Sequence, residues 1–346
     1  MRACRQIASF PSELEANGGR LVYYHEPKTG DMERNYMLRY ILKRILFMIP
    51  VMIGVSFLVY FIMDFAPGDA VDLLAPPEAT AEEKEELRES MGLNRNIFVR
   101  YGEYMVNLVQ GDLGTSYITK RDVFDNYMEK LPNTIFLGFT SVFFSVLLSI
   151  PLGIYAAIHR GTLRDNIAMV IELVGVSIPM FWLGLLLILF FSLRLGWLPS
   201  GGINGLKSVI LPAITLGVGN MALLTRTTRS SMLEVLNQDY LRTARAKGVS
   251  ERVVVYKHAL KNALIPIITV IGNQMTTVIG GTILTETVFA WPGVGRLVID
   301  SLNSRDTPQV TGSVILTTLG LCIIVLLIDI VYALVDPRIK AKYSSN

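Results

Sequence analysis

Polar side chains inside apolar runs are the residues most able to do chemistry in this chain. Asn220, Asn273, Gln274, Thr276 and Thr277 all lie within stretches otherwise made of aliphatic residues, and Ser177 and Glu172 lie in another. A carboxamide or hydroxyl in hydrocarbon must find a hydrogen-bond partner, so these groups are expected to face the interior of a helix bundle. Two readings stay open for them: the lining of a polar path (Ser177, Asn220, Asn273, Gln274 and Thr277), or hydrogen bonds that hold helices together. Glu172 sits about two turns into its run by helix geometry. It reads as an acid that reaches the interface or pairs with a basic neighbour. Gly280-Gly281 reads as a place of close helix packing.

Other chemistries are not supported. No G-x-x-x-x-G-K-[ST] segment occurs, so nothing cradles a nucleotide phosphate, and there is no H-E-x-x-H. No Ser/His/Asp set follows from the spacing. The two cysteines, Cys4 and Cys322, are far apart and imply neither a disulfide framework nor a zinc site. His25, His159 and His258 are isolated and read as solvated or interfacial. The chain is therefore expected to be no enzyme, to hold no metal and to carry no cofactor of its own.

The second cluster of interest is charged. Between Arg226 and Asn262 stand eight cations: Arg226, Arg229, Arg242, Arg245, Lys247, Arg252, Lys257 and Lys261. Asp239 is placed to cap a short helix over Tyr240 to Lys247. Gly248 stands where that helix must stop, since glycine takes a left-handed conformation freely. Ser250 and Glu251 open a second helix. On it Val253, Tyr256, Leu260 and Leu264 recur at helical spacing and form one apolar face. The segment reads as helix, glycine corner, helix. Its plainer reading is a charged loop that only orients the chain.

The elements that must position these groups are membrane spans. The chain has 346 residues, 51% of them hydrophobic, and a mean hydropathy of +0.44, too apolar for an ordinary soluble domain. The net charge of +3 carries little information. Six runs qualify as spans, at about 41–63, 134–158, 167–191, 209–225, 264–284 and 314–334. Arg39, Lys43 and Arg44 stand just before and at the start of the first, while Asp64, Asp69 and Asp72 follow it, which puts the N-terminus in the cytoplasm. The short loops do not decide the matter, because HRGTLRD and the 193–208 loop each hold two Lys or Arg. Six spans return the C-terminus to the same side. Residues 1–36 are polar and lack an apolar core, so they read as a dispensable, disordered tail rather than a signal peptide. Residues 37–133 read as the first span plus an external subdomain, with an acidic, solvated helix over Ala81 to Met91. Residues 134–346 read as a five-helix core with a cytoplasmic loop at 226–262. Glu286 to Arg296 reads as an external loop with a turn at Pro292-Gly293. Phe181, Trp182 and Trp197 suit a lipid interface, and no solenoid repeat is visible.

The motifs PGDA, GDLGTS, RTARAKG, HALKNALIP and FAWPGVG resemble those of ABC-importer permeases, in particular the oligopeptide/dipeptide/nickel branch, and the resemblance spans roughly residues 37 to 346. In that family a cytoplasmic Glu-Ala-Ala, three residues, Gly signature docks on the ATPase subunit. Here Arg242 and Thr243 occupy its first two places, Ala244 and Gly248 match, and Pro266 comes late, so no Glu-based contact is available. The resemblance implies an all-α membrane protein of the type I ABC-importer permease fold with an external insert between spans one and two. It implies coupling through Asp239, Tyr240, Arg242, Thr243, Ala244, Ala246 and Gly248. It further implies a second homologous permease chain, two ABC ATPases that bind the ATP, an external substrate-binding protein and a bacterial or archaeal plasma membrane; nucleic acid is not expected. Short peptides are the expected cargo, because the polar groups in the spans are neutral donors and acceptors. Nickel, free or chelated, is the alternative within the branch. A self-sufficient secondary transporter is the alternative outside it, although only Glu172 would serve as its mid-membrane acid.

Overall fold

A computed structural model describes residues 29–65 and 70–335, with side chains described for 41–65, 70–276, 280 and 282–330. The expectations for residues 1–28, for Asp69 and for most of PGDA, and for the last 11 residues lie outside the described residues.

The described chain is helical: α1 (Thr29–Phe65), α2 (Ala70–Leu74), α3 (Ala81–Ser90), α4 (Ile97–Val109), α5 (Val123–Ile158), α6 (Leu163–Ser177), α7 (Met180–Leu187), α8 (Ile210–Leu236), α9 (Asp239–Ala246), α10 (Glu251–Val253), α11 (Leu260–Gly281), α12 (Ile283–Val288), α13 (Val294–Asn303) and α14 (Thr307–Val335). Two π-helical stretches extend this set, Ile188–Arg194 after α7 and Val254–Ala259 between α10 and α11. Five helical segments are long and apolar enough to cross a bilayer: 41–65, 123–158, 206–236, 251–276 and 307–330. Each exceeds the roughly 20 residues a hydrocarbon core demands.

The third expected span is not one rod. It consists of Leu163–Ser177 and Met180–Arg194, which meet at 98°. Ile178 is extended and Pro179 follows it, so the hydrogen-bond ladder ends at Ser177. Other boundaries also shift. α5 begins at Val123 rather than at residue 134, because the Asp122 carboxylate accepts from the Phe124 N–H at 2.7 Å and caps the helix. α8 continues to Leu236 and so takes Arg226 and Arg229 into a helix.

Side-chain contacts fix how the helices run. Ser141 and Ser145 of α5 lie beside Gly217, Ser149 donates to the Met221 carbonyl, and Gly153 lies beside Thr225 and Thr228, so α5 and α8 are parallel. α6 is antiparallel to α8, with Asp165 beside Arg229 and Gly175 beside Val218. α11 also opposes α5 and α8, since Ile267 shares a core with Ile154 and Leu224 while Gln274 reaches Ser145 and Asn220. Arg44 pairs with Asp329 at 3.3 Å, which places the start of α1 against the end of α14. The start of α1 and the end of α14 thus lie at the same end of the bundle as α9.

α5 and α8 form the centre. Ser141, Ser145, Ser149 and Gly153 recur every four residues on α5, and the three serines are fully buried. This stripe of small residues lets the two backbones approach closely. A Cβ at Gly153 would lie 2.6 Å from the Thr228 Cβ and 2.8 Å from the Thr225 carbonyl. Gly153→Leu is therefore expected to destabilise the bundle by at least the roughly 1–3 kcal/mol typical of overpacking. A lowered unfolding midpoint of the detergent-purified chain is the check; an unchanged midpoint would show that the helices can separate freely.

Between α1 and α5, helices α2 to α4 form a separate layer. The acidic run is helix α3, closed by a capping box between Thr80 and Glu83, and none of its residues is buried. α4 packs on α1: the Tyr101 hydroxyl is 2.9 Å from the Ser56 hydroxyl, and Arg100 pairs with Asp64. The GDLGTSY stretch folds back on the α13–α14 corner. There the buried Asp306 carboxylate accepts from the Ser116 hydroxyl at 2.5 Å and from the Tyr117 N–H at 3.0 Å.

Candidate functional site

The basic segment folds as a short helix with one fully buried residue seating it against the bundle. α9 carries polar and charged side chains on most of its surface, and Leu241 is its only fully buried side chain. Leu241 enters a core made by Ile154, Leu224, Met232, Val254, Val255 and Ala259. The helix stops in a Schellman arrangement, with the Gly248 N–H on the Arg245 carbonyl at 2.9 Å and the Val249 N–H on the Ala244 carbonyl at 3.3 Å. Gly248 has φ +78°. Glu251 then ties the far side of the corner to α9: its carboxylate takes both Nε and a terminal nitrogen of Arg245, at 3.1 and 2.9 Å. That pair raises the Arg245 guanidinium further above its already high pKa.

Two details of this segment differ from expectation. Asp239 does not cap α9; Gln238 stands at the cap without a side-chain bond, and Asp239 is the first helical residue. An acid there still suits the positive end of the helix dipole. The expected face of Val253, Tyr256, Leu260 and Leu264 is not the buried one. Val253 and Tyr256 are exposed, while Val255, Ala259, Ala263 and Ile267 are buried. The π-helical turn at Val254–Ala259 makes the cause plain: its wider turn rotates the helix face away from the register that 3.6-residue spacing assumes.

Of the seven residues that the resemblance assigned to coupling, most form one outward surface. Asp239 and Arg242 side chains are 95% and 76% exposed. Tyr240, Thr243, Ala246 and Gly248 are exposed too, while Ala244 is turned toward the core. Tyr240 accepts from Asn262 at 2.6 Å, which steadies its ring beside the next helix. The roles of Leu241 and Asn262 are not evident from the sequence, and Glu251, expected to open the second helix, also ties back to Arg245; a lone leucine in a polar eight-residue helix is nonetheless a readable anchor. Gly248→Val places a β-branched side chain at positive φ, a strain of about 1–3 kcal/mol, and is expected to lower ATP-driven uptake without preventing insertion. Uptake equal to the parent protein would remove this corner from the coupling route.

The polar residues of the spans do not converge on one point. Gln274 is buried, donates to the Asn220 carbonyl at 2.6 Å and accepts from Ser145 at 3.4 Å, so it joins α11, α8 and α5. Asn220 and Ser177 each bond their own helix, to the Leu216 and Leu173 carbonyls. Asn273 is exposed next to Gln274, and Thr277 lies outside the described side chains. Glu172 is buried and pairs with Arg226 at 2.8 Å, the basic neighbour expected of it.

The Glu286 to Arg296 segment is a buried knot, not a solvent loop. Two short helices, α12 and α13, flank a turn in which Phe289 and Trp291 are almost fully enclosed. The Glu286 carboxylate is fully buried and accepts from the Thr134 hydroxyl at 2.7 Å and the Arg296 N–H at 3.0 Å. Thr134 in turn accepts from the Val294 N–H at 2.8 Å. Gly293 is required by this arrangement, because a Cβ there would lie 2.4 Å from the carboxylate.

Residues 149–341 match the family described as the binding-protein-dependent transport system inner membrane component, and residues 37–138 match the N-terminal part of such membrane components. The chain belongs to this family. A glutathione transport system permease protein, GsiC, of Escherichia coli O6:H1 is 43% identical over 306 residues, 88% of this chain and all of that protein. Its counterparts in Escherichia coli K12 and Salmonella choleraesuis are 42% identical over the same span. The inward-facing methionine ABC transporter MetNI aligns with a TM-score of 0.52 at 20% identity, over 61% of this chain and 96% of that one. That likeness bears on the fold, which is the type I importer permease fold.

As a permease of the peptide/nickel branch of ABC importers, the chain is a membrane-embedded transport subunit. The family works with a substrate-binding protein and an ATPase.

Proposed function

We propose that this permease forms the channel of an ATP-driven importer of short peptides, including tripeptides of the glutathione kind. The observation that carries the cargo is the likeness, across 88% of the chain, to permeases named for glutathione transport. Asn273, exposed beside Gln274, supports it as a neutral donor and acceptor, since such a group suits amide groups and not a bare metal ion. In this reading a second homologous permease completes the path, an external binding protein delivers the peptide, and two ATPases supply the drive. ATP is bound by those ATPases and not by this chain. The α9 end of the bundle faces the cytoplasm with both termini, and the α2–α4 layer faces outside the plasma membrane.

The outward surface of α9, with Asp239, Tyr240, Arg242, Thr243 and Ala246, would sit in a cleft of an ATPase. Leu241 fixes it to the bundle and Gly248 sets its angle to the following helix. Closure of the ATPases displaces α9 as a rigid body and switches the bundle between two access states. Ala244 belongs to this assembly as packing rather than as contact.

The test is uptake by vesicles carrying the complete complex. Labelled glutathione and di- to oligopeptides are expected to compete for entry, and nickel is not. Nickel entry lost on deleting this chain, with peptide entry untouched, would reverse the assignment.

A further inference from the structure

α6 is attached to the bundle through charged contacts. Its only buried residues are Asp165, Ala168 and Glu172, two carboxylates and an alanine on one stripe. Its aliphatic residues, among them Ile167, Val170, Ile171 and Val174, are exposed. In a bilayer such an outward aliphatic surface is ordinary, and polar contacts between helices do much of the holding. Here two ion pairs do so. Asp165 takes Nε and a terminal nitrogen of Arg229, both at 2.7 Å, and Glu172 takes Arg226 at 2.8 Å. The acids are seven residues apart on α6 and the arginines three apart on α8, so both pairs bridge the same seam in antiparallel helices.

The seam has a special place in the fold. The arginines lie in the second half of α8, the helix that leads through Asn237 and Gln238 into α9. The acids lie on the segment that ends at the 98° break. On the far side of that break Met180 packs against Gly219, where a Cβ would lie 2.3 Å from the Met180 methyl carbon. So α6 is tied to the second half of α8 along its length and ends at the break at Ser177–Pro179.

We infer that Asp165–Arg229 and Glu172–Arg226 are transmission pins: they carry the displacement of α9 and α8 into α6 and so swing it about the break. Directional, hydrogen-bonded charge pairs suit this task, because a bidentate guanidinium–carboxylate contact fixes geometry where an apolar contact would slide. The four residues are positioning residues and need touch no cargo. This inference rests on the reading of α9 as the ATPase-docking element.

The experiment uses the complete complex in vesicles, with Cys4 and Cys322 replaced by serine. Spin labels are placed in pairs at Val109→Cys with Lys247→Cys, and at Val109→Cys with Val170→Cys. The three positions are exposed and report α4, the C-terminal cap of α9 and α6. The test variant is D165N/E172Q/R226Q/R229Q, which removes the charges together and keeps hydrogen-bonding side chains of similar size, since deleting one partner alone would strand a buried charge. In the parent complex, trapping the ATP-bound state is expected to change both distances. In the variant the 109–247 change should persist and the 109–170 change should be lost. Glutathione uptake should fall roughly tenfold, within the range of site-to-site coupling, while ATP hydrolysis continues. A purely structural role would lower both activities together through lost assembly. Should the fourfold variant fail to assemble, E172Q/R226Q takes the same measurements, as its arginine is 63% exposed and its loss is milder. A 109–170 change as large in the assembled variant as in the parent would overturn the pins. A 109–247 distance that ignores ATP in the parent complex would instead overturn the docking role of α9, and the pins with it.

Discussion

Leu241→Ala is expected to abolish most ATP-driven uptake while leaving the chain in the membrane. Leu241 is fully buried and is the only such side chain on α9. Replacing a buried leucine by alanine typically costs about 2–5 kcal/mol. Here that cost falls on the docking of one short helix rather than on the whole bundle, because the spans keep their own contacts. The equilibrium between seated and unseated α9 then shifts by roughly 30-fold to several thousand-fold. Arg245–Glu251 and the Gly248 corner remain, but both lie toward solvent, where an ion pair contributes little. Uptake and co-purification of the ATPase should fall together. Tyr240→Ala removes an exposed contact and is expected to do less. Parent-level uptake in the leucine variant would mean that α9 is held by something other than this anchor.

Glu286→Ala carries the second large effect. Two donors, the buried Thr134 hydroxyl and the part-buried Arg296 N–H, lose their acceptor. Each unsatisfied group costs about 1–3 kcal/mol, so the sum approaches about 2–6 kcal/mol before any cavity is counted. The damage spreads because Thr134 also holds the Val294 N–H, and thereby the start of α13 against α5. Glu286→Gln keeps one carbonyl acceptor and should lose less. Unfolding of the purified variants in detergent is the check. The order parent, Gln, Ala in falling stability is expected, and equal stability of all three would show that the carboxylate is idle.

These cases show what the sequence discloses and what it conceals. Apolar run length reveals the spans, because the bilayer fixes a minimum length whatever the partner helices are. Gly248 is legible because only a residue tolerant of positive φ suits that corner, and its φ of +78° agrees. The break at Pro179 is half legible: proline marks the place, but its 98° angle depends on how Met180 and Gly184 pack against α8 and α12. The buried face after α9 is hidden, since a π-helical turn leaves no clear mark in side-chain periodicity. Glu286 is hidden more deeply. A lone acid after an apolar run looks like a solvent residue until Thr134, 152 positions away, is brought beside it. Glu172 is legible as a residue in need of a cation, but Asp165 is not, because a charge in a short polar loop asks for no explanation.

The most direct measurement of the central claim is site-specific photocrosslinking in cells that carry the whole transporter. A photoreactive residue at position 242, on the outward face of α9, is expected to capture the ATPase subunit. The same group at position 109, at the end of α4 and 85% exposed, should not. Capture of the ATPase from position 109 and not from position 242 would contradict both the coupling role of α9 and the orientation of the bundle.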